Sequence, residues 1–229
     1  MNRAGESQQD QVLVIYAKYP QHGKVKTRLA KSIGDELATA LYTSFIQHIL
    51  EKHIHNTNHY DISFAIAPTE KVDHFAVDFP GGLHYLSQLE NSDLGERLAD
   101  SMRKFFELNY NKVVIIGTDS PALPPSHIEE AFEKLEEYDL VFGPTTDGGF
   151  YLIGLRHPNS ALFKSVRWST PNTLADSIDA AKRERVNYTL LEEHFDVDNV
   201  NDLRYLLDTY PIGFIPENLR RNLASFTKE

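Results

Sequence analysis

The chain predicts an α/β fold with a mainly parallel central sheet and helices on both faces. Strand-like and helix-like patterns alternate along its 229 residues. Two strand patterns, Val12-Leu13-Val14-Ile15 and Val113-Val114-Ile115-Ile116, are wholly apolar. A strand covered on both faces needs such a run, and alternating β and α segments bring parallel strands together. The length suits one large domain burying about 70% of its unfolded surface.

Each element follows from a local pattern. Residues 1–10 are polar and read as a flexible segment without a signal peptide's apolar core, ahead of a single domain over 11–229. Residues 12–17 form the first strand. Leu37, Leu41, Phe45 and Ile49 recur every fourth position, predicting a helix over 35–53. A strand follows over 61–67, a short helix over 70–75 and a third strand over 84–87. The segment 94–108 is helical, with Leu98, Met102 and Phe105 inward, and 112–117 is a buried parallel strand. A helix over 125–138 precedes strands 140–143 and 150–155. Thr170 as N-cap, with Pro171 at the first helical position, opens a helix to about Lys182. A strand over 188–191 and a helix over 200–207 complete the pattern. His48, His53, His55 and His59 read as a solvated helix end.

Composition narrows the function. No cysteine is present, which excludes disulfides, thiolate metal sites and a cysteine nucleophile. The formal net charge of −10 argues against broad nucleic-acid or anionic-membrane binding. No apolar run approaches the ~20 residues that span a bilayer. The expected setting is the cytoplasm.

Five constellations carry chemistry. The first loop holds Lys18, Lys24, Lys26, Arg28 and Lys31, with no acid between Asp10 and Asp35. At the carboxyl end of the first strand, such a loop suits phosphate. It is not a Walker loop, because residue 18 is lysine and residue 25 valine. Gly117-Thr118-Asp119-Ser120-Pro121 leaves the most apolar strand, so Asp119 faces the same crevice. There it either binds a hard cation such as Mg²⁺ or Mn²⁺ or caps a turn. Asp147-Gly148-Gly149 lets backbone approach a ligand while Asp147 holds or deprotonates an acceptor, or it is a plain hairpin turn. Asp196-Val197-Asp198-Asn199 offers a second metal ligand or a helix cap. Gln88, ahead of Asp93-Leu94-Gly95-Glu96-Arg97, carries an amide able to read a base edge. Outside these five, Trp168-Ser169-Thr170 offers a ring for a ligand or an anchor for the core.

In this order the motifs resemble the GT-A nucleotide-diphospho-sugar transferase superfamily, and within it a bacterial glycosyltransferase-like branch. The set runs from Ala17-Lys18-Tyr19-Pro20 and Gly23-Lys24-Val25-Lys26-Thr27-Arg28-Leu29 through the segments above to Asp196-Val197-Asp198. The resemblance implies a Rossmann-like three-layer α/β/α domain. Together with the basic loop it gives nucleotide binding by Ala17, Lys18, Lys24, Lys26, Arg28, Gln88 and Gly95 as the expectation. Asp119 and Asp198 would hold Mg²⁺ or Mn²⁺, with Asp119, Asp147 and Arg28 catalytic and Asp147, Gly148 and Gly149 binding substrate. The first loop lacks the glycines of pyrophosphorylases, and the metal motif has one aspartate rather than Asp-x-Asp.

The leading expectation is a metal-dependent transferase moving a sugar from a nucleotide-activated donor to a small-molecule acceptor. Two alternatives stand beside it. One is a nucleotidyltransferase joining an NTP to a phosphorylated small molecule; the other is a nucleotide-binding module without turnover.

Overall fold

A computed structural model describes residues 9–54, 59–224 and 226. Seven strands form one sheet, in the order β3-β2-β1-β4-β6-β5-β7. They are β1 (Gln11–Lys18), β2 (Asp61–Ala67), β3 (His84–Ser87), β4 (Lys112–Ile116), β5 (Leu140–Pro144), β6 (Phe150–Leu155) and β7 (Tyr188–Leu190). All neighbouring pairs are parallel except β4 with β6 and β5 with β6. The helices are α1 (Thr27–Ile33), α2 (Asp35–Ile54), α3 (Val72–Asp78), α4 (Leu94–Glu107), α5 (Pro125–Lys134), α6 (Thr173–Arg183), α7 (Val200–Thr209) and α8 (Glu217–Leu223). The fold is the three-layer α/β/α arrangement that the alternating pattern predicts.

The period-2 geometry of the strands splits the core between the two faces. Leu13, Ile15, Phe64 and Ile116 pack under α2, α3 and α5. Val12, Val14, Val113 and Ile115 pack under α4 and α6. A third cluster joins Leu29, Leu41 and Phe45 to Val197, Leu203, Leu219 and Leu223. That cluster matters for the site, because it brings the 196–198 segment against the first loop. No helix among the described residues is long and apolar enough to cross a membrane.

Several boundaries differ from expectation for identifiable reasons. The first loop condenses into α1, whose Leu29 and Ile33 are buried. Pro171 does not start α6. Thr170 and Pro171 form a turn in which the Thr173 hydroxyl accepts from the Thr170 amide, and the helix begins at Thr173. The fifth helix ends at Lys134, four residues early. The tail carries α8, which Pro216 precedes as N-cap. His53 is not solvated. It is fully buried, and its Nδ1 lies 2.8 Å from the Tyr60 hydroxyl. His48 stacks on Phe214, while His59 is exposed. His55 lies outside the described residues, as do residues 1–8 of the expected flexible segment. Asp10 is tied down, its carbonyl accepting from the Asn111 and Lys112 amides.

Candidate active site

The carboxyl ends of β1 and β4 open onto a cleft of about 660 Å³. Of the residues expected to act, it is lined by Ala17, Lys18, Lys24, Lys26, Arg28, Gln88, Asp119, Asp147, Gly149 and Asp198. Gly95 and Gly148 lie beside it.

The first loop is a folded part rather than a solvated arm. Val25 is buried, and Lys26 adopts left-handed backbone (φ 46°) as the N-cap residue of α1. The Lys26 side chain is only 4% exposed and turns inward. Its Nζ lies 2.5 Å from Asp119 Oδ1, donates to the Val197 carbonyl at 2.7 Å and sits over the Phe45 ring. Arg28, one helical step on, is exposed and meets Asp198 at 3.0 Å. Lys18 and Lys24 remain exposed.

The carboxylates converge from three segments. Asp119 follows β4 and is half exposed. Its carbonyl accepts from the Val197 amide at 2.8 Å, locking the two loops together. Asp196 accepts from the Ser120 hydroxyl. Burial, then the charge of Asp119, push the Asp196 carboxyl up to about 7. Burial and Asp119 raise Asp198 as well. Asn199, not Asp198, caps α7 through a reciprocal box with Asp202, which frees the Asp198 carboxylate for the cleft. Among the described residues no group of three or more His, Cys, Asp or Glu forms a metal cage. Two carboxylates facing one cleft do fit Mg²⁺, which takes one or two plus substrate phosphates. Their mutual repulsion favours a cation between them.

Asp147 occupies the β5–β6 hairpin, as the turn reading requires, and also lines the cleft. Its Oδ1 accepts from the Thr145 hydroxyl at 2.6 Å and the Gly149 amide at 3.1 Å. Gly148 (φ +87°) passes so close to the Pro171 carbonyl that a Cβ would lie 2.1 Å from its oxygen.

Gln88 and Gly95 do different work from that expected. The Gln88 amide is buried and engaged on both sides: Nε2 donates to the Ala17 and Ala65 carbonyls, and Oε1 accepts from Arg97. It is therefore not free to read a base edge directly. Gly95 is buried against Trp168, whose Nε1 would lie 2.2 Å from an added Cβ. Trp168 in turn packs on Phe163 and Phe150, so it anchors the core. Asp93 and Glu96 form the capping box of α4.

Two cleft residues escaped the sequence reading. Tyr42 is buried beneath the cleft, where its hydroxyl accepts from the Lys18 amide and the Thr118 hydroxyl, both at 3.0 Å. It sits on the apolar stripe of α2, so spacing marks it only as core. Arg97 lines the cleft from the first turn of α4. The signal for it was present, as the one cation in a segment otherwise explained by capping.

The fold has recognised counterparts. Two 2-phospho-L-lactate guanylyltransferases, from Methanocaldococcus sp. (strain FS406-22) and Methanocaldococcus jannaschii, are 26% and 25% identical over 102 and 118 residues. These stretches are 43% and 48% of this chain, and 43% and 51% of the relatives. The chain thus spans about half the length of the curated relatives it matches. A solved candidate nucleotide-diphospho-sugar transferase from Desulfovibrio desulfuricans G20 superposes with TM-score 0.85 at 29% identity, over 96% of this chain and 97% of that one. CMP:2-keto-3-deoxy-manno-octonic acid synthetase complexed with CTP shares the fold at TM-score 0.53 and 15% identity, over 86% and 96% of the chains. Rv0371C of Mycobacterium tuberculosis H37Rv, complexed with manganese, does so at 0.53 and 11%, over 88% and 99%. The two curated relatives are guanylyltransferases and the 29%-identical neighbour is described as a sugar transferase, so all three are of the transferase class that the motifs imply. Residues 50–170 match the model of one family, and the chain belongs to it: the bacterial family described as uncharacterized protein conserved in bacteria (DUF2064).

Proposed function

We propose that this chain is a metal-dependent cytoplasmic nucleotidyltransferase, joining a nucleoside triphosphate to a phosphorylated small molecule. One observation carries the reading. Cations of a single loop face carboxylates from two distant segments across the sheet edge, as Lys26–Asp119 and Arg28–Asp198. Each pair stands where a metal–triphosphate would divide it, carboxylate to metal and cation to phosphate. The guanylyltransferase relatives favour nucleotidyl over sugar transfer.

Under this reading Lys18, Lys24, Lys26 and Arg28 bind the phosphates, Lys26 and Arg28 exchanging their carboxylate partners for them. Asp119 and Asp198 would hold Mg²⁺ or Mn²⁺, which when bound neutralises charge gathering on the leaving pyrophosphate. A phosphate oxygen of the acceptor attacks the α-phosphorus. The bond from that phosphorus to the bridging β-oxygen breaks, and pyrophosphate leaves. Phosphate monoesters are largely dianionic at pH 7, so the nucleophile needs no general base. Asp147, with the Gly148 and Gly149 backbone, then positions the acceptor rather than deprotonating it.

The test is pyrophosphate release from each NTP with Mg²⁺ or Mn²⁺. Phosphorylated hydroxy acids serve as acceptors, 2-phospho-L-lactate first because the relatives carry its name. Acceptor-dependent release, lost in Asp119→Ala, is the expected result. The full-length likeness to the sugar-transferase neighbour keeps the second reading specific. Free NDP released from an NDP-sugar, with no pyrophosphate from any NTP, would replace the first reading with it. Nucleotide binding without either product would leave a binding module.

A further inference from the structure

The α4 side of the cleft holds an arginine with no acidic partner among the described residues. Arg97 projects from the first turn of α4 and lines the cleft with Tyr16, Leu94, Leu98 and Phe150. Its Nε donates to the Asp93 carbonyl at 3.3 Å and its Nη1 to Gln88 Oε1 at 3.3 Å. Both acceptors are neutral. A guanidinium carries five N–H donors and cannot shed its charge, so the fork is oriented but not neutralised. The support is built for the purpose. The Gln88 amide is fixed by two sheet carbonyls, the Asp93–Glu96 box fixes the helix turn, and Gly95 lets Trp168 close behind it.

We propose that Arg97 is the base-reading residue of this cleft and that it selects guanine. This rests on the nucleotidyltransferase reading above. The phosphate-binding cations lie on the other wall, at the β1 and β4 ends. Gln88, on which Arg97 rests, bonds the β1 and β2 carbonyls and β4 lies beside β1, which puts Gln88 one to two strand spacings from the β4 end, ~5–10 Å, on the scale of a nucleoside. Leu94, Leu98 and Phe150 line the same part of the cleft, an apolar surface that suits the face of a base. Guanine presents two adjacent acceptors, O6 and N7, to which an arginine fork donates bidentately. Adenine replaces one of them with a donor, and cytosine offers a donor at the matching edge. Arg97 is a specificity residue here, and Gln88 positions it.

The test is binding of GTP, ATP, CTP and UTP with Mg²⁺, by calorimetry or thermal shift without acceptor. Wild type, Arg97→Met and Arg97→Lys are compared. The wild type is expected to bind GTP most tightly, and Arg97→Met to lose roughly 10- to 100-fold for GTP while ATP affinity barely moves. Arg97→Lys retains the charge without the fork and is expected to lose selectivity, which keeps the proposal testable if the methionine variant misfolds. Equal weakening of all four nucleotides would make Arg97 a phosphate contact and overturn the assignment. A wild type that binds another base best, or an Arg97→Met whose GTP affinity is unchanged, would overturn it too. A wild type that binds no nucleotide would bring down the nucleotidyltransferase reading itself, with this inference.

Discussion

The two walls of the cleft hold their cations in opposite ways. On the β4 wall Lys26 and Arg28 are each paired with a carboxylate. On the α4 wall Arg97 rests on a carbonyl and an amide oxygen. A cation with an acidic partner is nearly neutral to its surroundings, and a ligand must break the pair. A cation on neutral acceptors keeps its charge for the ligand. The paired wall therefore suits a metal–phosphate that exchanges partners, and the unpaired wall suits direct recognition.

The largest expected effect strikes the paired wall. Asp119→Asn keeps the shape but removes the charge that pairs with Lys26 and that would hold the metal of the proposed reaction. Losing a charge that stabilises a transition state costs on the order of 10³-fold in rate. Turnover should fall by about that factor, with the far-ultraviolet circular dichroism retained. Full activity in this variant would place the metal elsewhere and dissolve the distinction between the walls.

Next comes the packing behind Arg97. Gly95→Ala gains helix propensity but drives a methyl into the Trp168 indole, 2.2 Å from its Nε1. Overpacking costs ~1–3 kcal/mol, offset by up to ~1 kcal/mol of propensity. Chemical denaturation should show a net loss of about 1–2 kcal/mol. A stabilised variant would mean that Trp168 moves freely and that the α4 wall is not rigid.

Much of this was legible, and unevenly so. The sheet followed from apolar runs, because burial on both faces leaves no room for polar residues. Strands 61–67, 84–87 and 150–155 coincide with β2, β3 and β6. The convergence of Arg28, Asp119, Asp147 and Asp198 on one cleft also followed, since parallel strands point their carboxyl ends to one edge. Direction of side chains was not legible. Lys26 and Lys24 read alike in the sequence, yet one is an inward strut and the other exposed, because only Lys26 meets the 196–198 segment carried by the third core cluster. Gln88 likewise lines the cleft, but its carbonyl partners come from strands distant in sequence.

His53 shows what happens when a basic group with a neutral partner can lose its proton. Its partner is the Tyr60 hydroxyl, and burial, ahead of the Lys52 and His48 charges, lowers it to about 4. An ordinary unfolded value of 6.5 then leaves the unfolded chain binding more protons between pH 4 and 6.5. Stability must rise with pH through that window and fall on acidification. At pH 5 the loss is roughly 2 kcal/mol relative to pH 7.5. His53→Gln should remove that loss, read as a flatter dependence of melting temperature on pH between 4 and 6.5. An unchanged slope would assign the acid sensitivity to other groups.

The smallest effect on stability returns to the paired wall. Arg28 is 74% exposed and Asp198 39% exposed in their pair. An exposed ion pair contributes ~0–1 kcal/mol, and salt screens it. Arg28→Ala should therefore leave the unliganded melting temperature nearly unchanged. Its effect should appear only with ligand, as several-fold weaker triphosphate binding that steepens with chain length from NMP to NTP. A variant that melts earlier but binds normally would make the pair a structural clasp. A variant that melts normally but binds weakly would identify the pair as a placeholder that the triphosphate opens. The Arg97 variants would differ from it in kind, discriminating between bases where Arg28→Ala discriminates between phosphates.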